Sequence, residues 1–451
     1  MPRAPGRVIS GGERAVAEAL AAALHAPGTD HDIAESLTHP FHSYPARLHP
    51  ATARVLVELV AGIGGGRIRT FLDPFCGSGT TLVEARAAGL LAAGVDLNPL
   101  AVLVARAKTW TAPARRRKEL RDAGHSISGA VLAAGRAARR AGAEPAPERR
   151  PAGFDPNARN RRLASWFAPH VRRELELIAG HLDELADRDA ELATVLTACL
   201  SAILYKVSSR TSDTDGTWVD RNIARGAPAR LFAQRVELLV AGLADFPPGS
   251  PPEIFELDAR RLAEVIADGS AGGIVTSPPY AGTYDYAEHQ RLRFDFLALR
   301  HRELDAGELG SRRSWQADPA AAARAWHDAL GDTLSAIAAA LAPGAAAALV
   351  IGDSIVIPGD DGRSSAGGGP SSGRSGSRSS GSRSSGGRSG GIPAYSTARA
   401  IFALDDLRGA LTDDLAVVAW ASQERPMLGR VERIAFGDRP KAEHVVLLRR
   451  R

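Results

Sequence analysis

Short apolar runs alternate with helically spaced segments over two stretches of the chain. The run IRTFLD (68–73) predicts a buried strand, and GLLAAGVDLN (89–98) predicts another. The residues between them repeat apolar positions at helical spacing. Together they form a strand–loop–helix–strand unit of a parallel α/β sheet. The same alternation resumes further on, where EIFELD (253–258), GGIVTS (272–277) and AAAALVIGDSIV (345–356) predict three more strands. Beyond them the pattern predicts a helix over about 396–413 and two closing strands, LAVVAWASQ and HVVLLRR. Such a final pair can close a parallel sheet antiparallel at one edge.

Between these stretches the pattern changes. VRRELELIAGHLDELA and LATVLTACLSAILYKV carry apolar residues at helical period, and no strong strand interrupts them. The chain divides into an N-terminal helix (1–30), a first α/β part (31–111), an Arg-rich helical insert (112–250), a second α/β part (251–357), a Gly/Ser/Arg tract (358–392) and a closing segment (393–451). The tract has too few apolar side chains to offset its ordering entropy, so disorder is expected there. The first 28 residues lack an apolar core followed by a cleavage site. Glu13, Arg14 and Glu18 break the Ala/Leu run, which reads as an amphipathic helix and not a signal peptide. With no uninterrupted apolar run of about 18 residues, a cytoplasmic protein with no membrane partner is expected.

The 451 residues carry 56 Lys/Arg against 51 Asp/Glu, a net charge of +5. Lys occupies only positions 108, 118, 206 and 441, and the rest of the basic residues are Arg. Residues 362–391 hold five Arg and no acid, so the chain without them is formally neutral. Whole-chain charge is therefore poor support for a nucleic-acid partner. The local excess is more pointed: residues 112–162 hold thirteen basic and five acidic residues. Two cysteines, Cys76 and Cys199, build neither a disulfide framework nor a zinc-ligand spacing.

Three motifs carry chemistry. The first is Asp73-Pro74-Phe75-Cys76-Gly77-Ser78-Gly79-Thr80-Thr81, between a strand and a helix. Glycines there let backbone amides approach a ligand, and the helix N-terminus suits an anion. A dinucleotide fingerprint fails because Leu82 stands where a small residue is needed, and a P-loop fails because Thr80 follows Gly79. The second is Asp96 at the end of the next strand, placed to hold a ribose diol. The third is Thr276-Ser277-Pro278-Pro279-Tyr280 directly after a strand. Two prolines hold that chain rigid and extended while their carbonyls stay free as acceptors. Ser277 can accept from an exocyclic amine and Tyr280 can stack on a base.

DPFCGSGTTLVEA, GVDLNP and TSPPY, in this order, resemble the S-adenosylmethionine-dependent amino-methyltransferases of DNA. HPFHSYPARLHP (39–50), YDYAEHQRLRFDFLAL (284–299) and KVSSRTSDTDG (206–216) are similar to further segments of that family. The resemblance implies a Rossmann-like methyltransferase fold, with a mostly parallel seven-stranded sheet, a C-terminal antiparallel edge and a helical insert. It implies that 31–111 is the cofactor half, 251–357 the catalytic half, and 112–250 a possible target-recognition insert.

The resemblance also implies roles. Tyr44, Pro45, Asp73, Pro74, Phe75, Cys76, Gly77, Gly79 and Thr80 would surround the methionine part of S-adenosylmethionine. Asp96 and Asn98 would hold the ribose side. Asp258 would contact the adenine amine, although an ordinary N-cap for the helix ARRLAEVIA explains it equally. Ser277, Pro278, Pro279 and Tyr280 would form the catalytic pocket around a flipped base. Methylation at C5 of cytosine needs a cysteine nucleophile, and neither cysteine follows that pattern. The Ser-first tetrapeptide tilts the reading toward N4 of cytosine in DNA. N6 of adenine in DNA, N2 of guanine in RNA, and an inert nucleic-acid-binding protein of the same fold are the alternatives.

Overall fold

The computed structural model describes residues 6–63, 70–142, 163, 165–211, 217–219, 221–357, 398–427 and 429–451. Its elements are β1 (Val8–Gly12), α1 (Arg14–Thr29), α2 (Pro50–Ile63), β2 (Thr70–Asp73), α3 (Thr80–Ala87), β3 (Ala92–Asp96), α4 (Pro99–Lys108), α5 (Ala114–Arg140), α6 (Pro169–Ala186), α7 (Ala190–Leu204), α8 (Ala227–Ala244), β4 (Glu253–Glu256), β5 (Ala271–Thr276), α9 (Pro319–Ala340), β6 (Ala346–Gly352), β7 (Ser354–Val356), β8 (Arg399–Ile401), β9 (Leu415–Glu424) and β10 (Ala442–Arg450), with short helical turns between.

Eight strands form one sheet in the order β1-β9-β10-β6-β5-β2-β3-β4. The five from β6 to β4 pair in parallel, and β10, β9 and β1 continue antiparallel. The apolar runs are continuous because both faces are covered. Successive residues point to opposite sides. Phe71, Val275, Val350 and Leu447 meet α1 and α2 on one face, while Leu72, Ile274, Leu349 and Val446 meet α9 on the other. This is the Rossmann-like α/β architecture that the sequence motifs imply.

Three expectations are corrected in detail. The sheet has eight strands and not seven, because the expected N-terminal helix is preceded by β1, which pairs with β9. The two closing strands consequently lie inside the antiparallel part, and β1 forms the edge. The expected helix over 396–413 is a short strand, β8, followed by a helix over Ala403–Gly409. The Gly/Ser/Arg tract at 358–392 lies outside the described residues, as does part of 206–216.

The insert is helical, as its period requires, and its core is shared with the sheet domain. Leu120, Ile127, Leu175, Cys199, Phe232 and Val236 cluster together with Phe41, Val83, Leu292 and Phe296 from outside it. One apolar window, Ala190–Val207, is long enough to cross a membrane by composition. It contains α7, whose Leu196, Ala198, Cys199 and Ile203 are wholly enclosed in this core. The helix is thus built as the centre of the insert.

The strand order places β2 between β3 and β5. The chain leaves β2 in one direction and returns on its other side, which makes the ends of β2 and β5 the topological switch point. Open α/β sheets bind ligands in the crevice outside such strand ends.

Candidate active site

Both motif loops open onto that crevice. The loop after β2 begins at Asp73, whose buried carboxylate accepts the Thr276 hydroxyl at 2.6 Å and the Phe75 N–H at 3.1 Å, both at Oδ1. Burial pushes the Asp73 pKa up to about 7, with these donors acting against the shift. Gly77 has φ +50° and donates its N–H to Asp96 Oδ2 at 2.8 Å. Asp96 Oδ1 accepts from Asn98 N–H at the same distance. Burial raises the Asp96 pKa to about 6.

Asn98 caps α4 through its side-chain oxygen and donates through Nδ2 to the Tyr44 hydroxyl at 3.0 Å. The segment 39–50 is pinned from several sides. His39 pairs with Glu84 of α3 at 2.6 Å, and Arg47 donates to the His39 carbonyl at 2.8 Å. Ala46 lies at φ +53° between the cleft-lining residues Tyr44 and Arg47. A non-glycine residue there costs strain that the surrounding anchors must hold.

The crevice encloses about 870 Å³ of space including its open mouth. Tyr44, Asp73, Pro74, Phe75, Cys76, Gly77, Thr80, Asp96, Asn98, Asp258, Ser277 and Pro279 line it. Four expected residues do not. Pro45 and Pro278 are not among its lining residues. Gly79 initiates α3 at φ +80°, and a Cβ there would stand 3.0 Å from Ala105 of α4. Its work is helix packing and not ligand contact. The Tyr280 ring packs on Gly352, and its hydroxyl donates to Glu443 at 3.2 Å. A Cβ on residue 352 would meet that ring at 2.5 Å, so the glycine makes room for it.

Asp258 is the N-cap that the sequence allowed, and it also lines the crevice. It caps the turn Ala259–Glu264 by accepting from Arg260 N–H at 2.9 Å and pairs with the Arg260 guanidinium. Cys76 is buried, and its thiol is pushed well above its usual range by burial and then by Asp96 and Asp73. It is no nucleophile.

Several lining residues escaped the sequence reading: Arg47, Leu48, Tyr286, Leu304, Glu308 and Leu309. Glu308 accepts the Tyr286 N–H, and burial raises its pKa to about 7. No motif points to it; the signal is only its position in a turn that folds over the crevice. Ser78 and Thr80 line the same space, and their hydroxyls are buried without a hydrogen-bond partner among the described residues. Donors left so are costly unless a ligand takes them.

The basic excess in 112–162 reads differently in three dimensions. On α5, Arg115 and Arg116 pair with Glu119, Arg116 also with Asp189 and Glu191, Lys118 with Asp122, and Arg121 with Glu237. Arg116 and Arg121 thus tie α5 to other parts of the insert. Residues 143–162 lie outside the described residues.

Residues 40–144 match the family described as UPF0020: RMKL-like, methyltransferase domain. Over 288 residues the chain is 29% identical to the type II methyltransferase M.MvaI of Kocuria varians. The second match spans 59% of this chain and 59% of that relative's length. The UPF0020 match takes in Tyr44, the glycine loop, Asp96 and Asn98, and ends before Asp258 and Ser277. Among solved structures, TrmN from Thermus thermophilus aligns over 91% of this chain and 52% of its own, with 12% identity and a TM-score of 0.31. The rRNA methyltransferase aviRa from Streptomyces viridochromogenes aligns over 91% and 88%, with 13% identity and a TM-score of 0.27. Neither overlap is close enough to bear on function.

Proposed function

We propose that this protein is an S-adenosylmethionine-dependent methyltransferase acting on an exocyclic amine of a DNA base, with N4 of cytosine as its target. One observation carries the reading. Ser277 lines the same crevice as the Gly77–Asp96 pair, and its hydroxyl donates to the Val350 carbonyl at 3.0 Å. With its proton committed to the sheet, the Ser277 oxygen keeps its lone pairs for an incoming N–H.

The residues fit the cofactor. S-adenosylmethionine is a cation, and the crevice is walled by Asp73, Asp96, Asp258 and Glu308 against Arg47. Ser78 Oγ and Thr80 Oγ1 are unpartnered there and can bond its polar groups. Asp96, at the end of β3, suits the ribose hydroxyls. When bound, the cofactor supplies a sulfonium methyl group open to nucleophilic attack.

The protein's own part is binding and positioning. A target base must leave the duplex for its amine to reach the crevice. The exocyclic nitrogen is a poor nucleophile because its lone pair is delocalised into the ring. Ser277 Oγ and the Pro278 carbonyl, each accepting an N–H, would draw the nitrogen toward tetrahedral geometry and localise the pair. Tyr280, packed on Gly352 beside Ser277, would stack on the base. On taking the methyl group, the nitrogen would shed one proton to solvent. Fixed dipoles and orientation supply the acceleration. The reading is tested by sequencing that maps modified bases in DNA from cells expressing the protein. N4-methylcytosine at a defined site supports it, and unmodified DNA refutes it.

A further inference from the structure

Trp218 is the exposed aromatic among the large apolar side chains of the described residues, with 53% of its surface open. A lone surface Leu or Ile would carry little meaning. This indole is held in place. Arg210 and Trp218 face each other across an antiparallel bridge, with Thr211 N–H to Thr217 carbonyl and Val219 N–H to Ser209 carbonyl at 3.1 Å each. The Arg210 guanidinium lies 4.4 Å from the Trp218 ring centroid and 4.8 Å from that of Trp166. One face of the indole is thus backed by a cation that is itself backed by a second indole. Arg221 ties the base of the hairpin by donating to the carbonyls of Lys206 and Thr211.

The hairpin is continuous with the wall of the crevice. Trp166 meets Tyr205 edge-on at 6.0 Å, and the Tyr205 hydroxyl donates to the His289 carbonyl at 2.5 Å. The His289 ring stacks on Tyr284 at 4.2 Å, and Tyr284 contacts Tyr286, which lines the crevice. A row of rings therefore runs from the crevice to the exposed indole.

We propose that Trp218 is a base-stacking contact for the DNA strand that enters the crevice. The inference rests on the function proposed above. An indole already fixed on Arg210 loses little freedom on stacking, every base offers a π-face, and the exposed Lys206 suits a phosphate. A protein partner would be favoured by a wider apolar surface, and among the described residues of this segment Trp218 is the large apolar side chain exposed.

The test compares wild type, Trp218→Ala and Trp218→Phe on duplex oligonucleotides containing the mapped site, with steady-state methylation and filter binding. Trp218→Ala should raise the KM and Kd for DNA about tenfold, Trp218→Phe should restore most of the loss, and the KM for S-adenosylmethionine should stay put in both. A halogenated oligonucleotide should also crosslink to Trp218 in the wild type under ultraviolet light. Methylation and DNA binding by Trp218→Ala equal to wild type, or crosslinks only elsewhere, would overturn the inference alone. A wild type that neither binds nor methylates DNA would overturn the functional reading and this contact with it.

Discussion

The Asp73 carboxylate and the Thr276 hydroxyl, 203 positions apart in the chain, share a buried hydrogen bond of 2.6 Å. It joins the start of the glycine loop to the residue just before Ser277. Each loop is rigid on its own account, one through Asp96 and one through its prolines. This bond fixes the two against each other across the switch point, where a donor and an acceptor would have to be aligned. Thr276→Val keeps the shape and removes the donor. It should destabilise the fold by about 1–3 kcal/mol in urea denaturation and lower kcat more than the affinity for S-adenosylmethionine. Unchanged stability and kcat would show that the bond carries neither role.

Burial holds the Asp73 pKa at about 7, above its ordinary 3.8. The folded state therefore keeps a proton that the unfolded chain releases near pH 4. The stabilisation from this proton is complete below about pH 4 and disappears as the pH rises through about 7. The stability of wild type relative to Asp73→Asn should accordingly fall between pH 4 and pH 7. Chemical denaturation of both proteins over that range measures it, and a flat difference would refute it.

Asp96 has a pKa of about 6, and it must be ionised to accept well from ribose hydroxyls. Binding of S-adenosylmethionine, measured by calorimetry, should tighten between pH 5 and pH 7.5. Asp96→Asn should bind at least about tenfold more weakly and lose much of that pH dependence. If the variant keeps the wild-type profile, a different group titrates.

Ser277→Ala removes the acceptor for the amine while leaving the crevice intact. Its kcat should fall about a hundredfold or more, with the affinity for S-adenosylmethionine largely kept. Tyr280→Ala should behave likewise, through loss of the stacking face. Full activity in both variants would show that the tetrapeptide is not the catalytic pocket.

Deleting residues 362–391 removes five arginines and no acid, leaving a formally neutral chain. Methylation should survive the deletion, because the tract offers few side chains able to build a site. A large loss of activity would assign it a function beyond linking.

The parts of this site visible in the sequence are those set by neighbours. A strand, a tight glycine turn and a following helix put Gly77 and Asp96 together within 19 positions. The invisible parts depend on long-range pairing. Gly79 looks like a ligand-loop glycine, yet the close approach of Ala105 explains it. Arg47 and Glu308 reach the crevice only once the sheet has formed. The strand β1 is short and its partner β9 lies near the other end of the chain. The basic patch read as an open surface because its partners Asp189, Glu191 and Glu237 lie between 73 and 116 positions away.

The central claim is methyl transfer to a base amine at the Ser277 end of the crevice. The direct measurement is incubation of the purified protein with methyl-labelled S-adenosylmethionine and duplex DNA, followed by nucleoside analysis of the product. N4-methyldeoxycytidine carrying the label, and its disappearance in Ser277→Ala, is the expected result. DNA left unlabelled, or label carried at C5 of cytosine, would contradict the account.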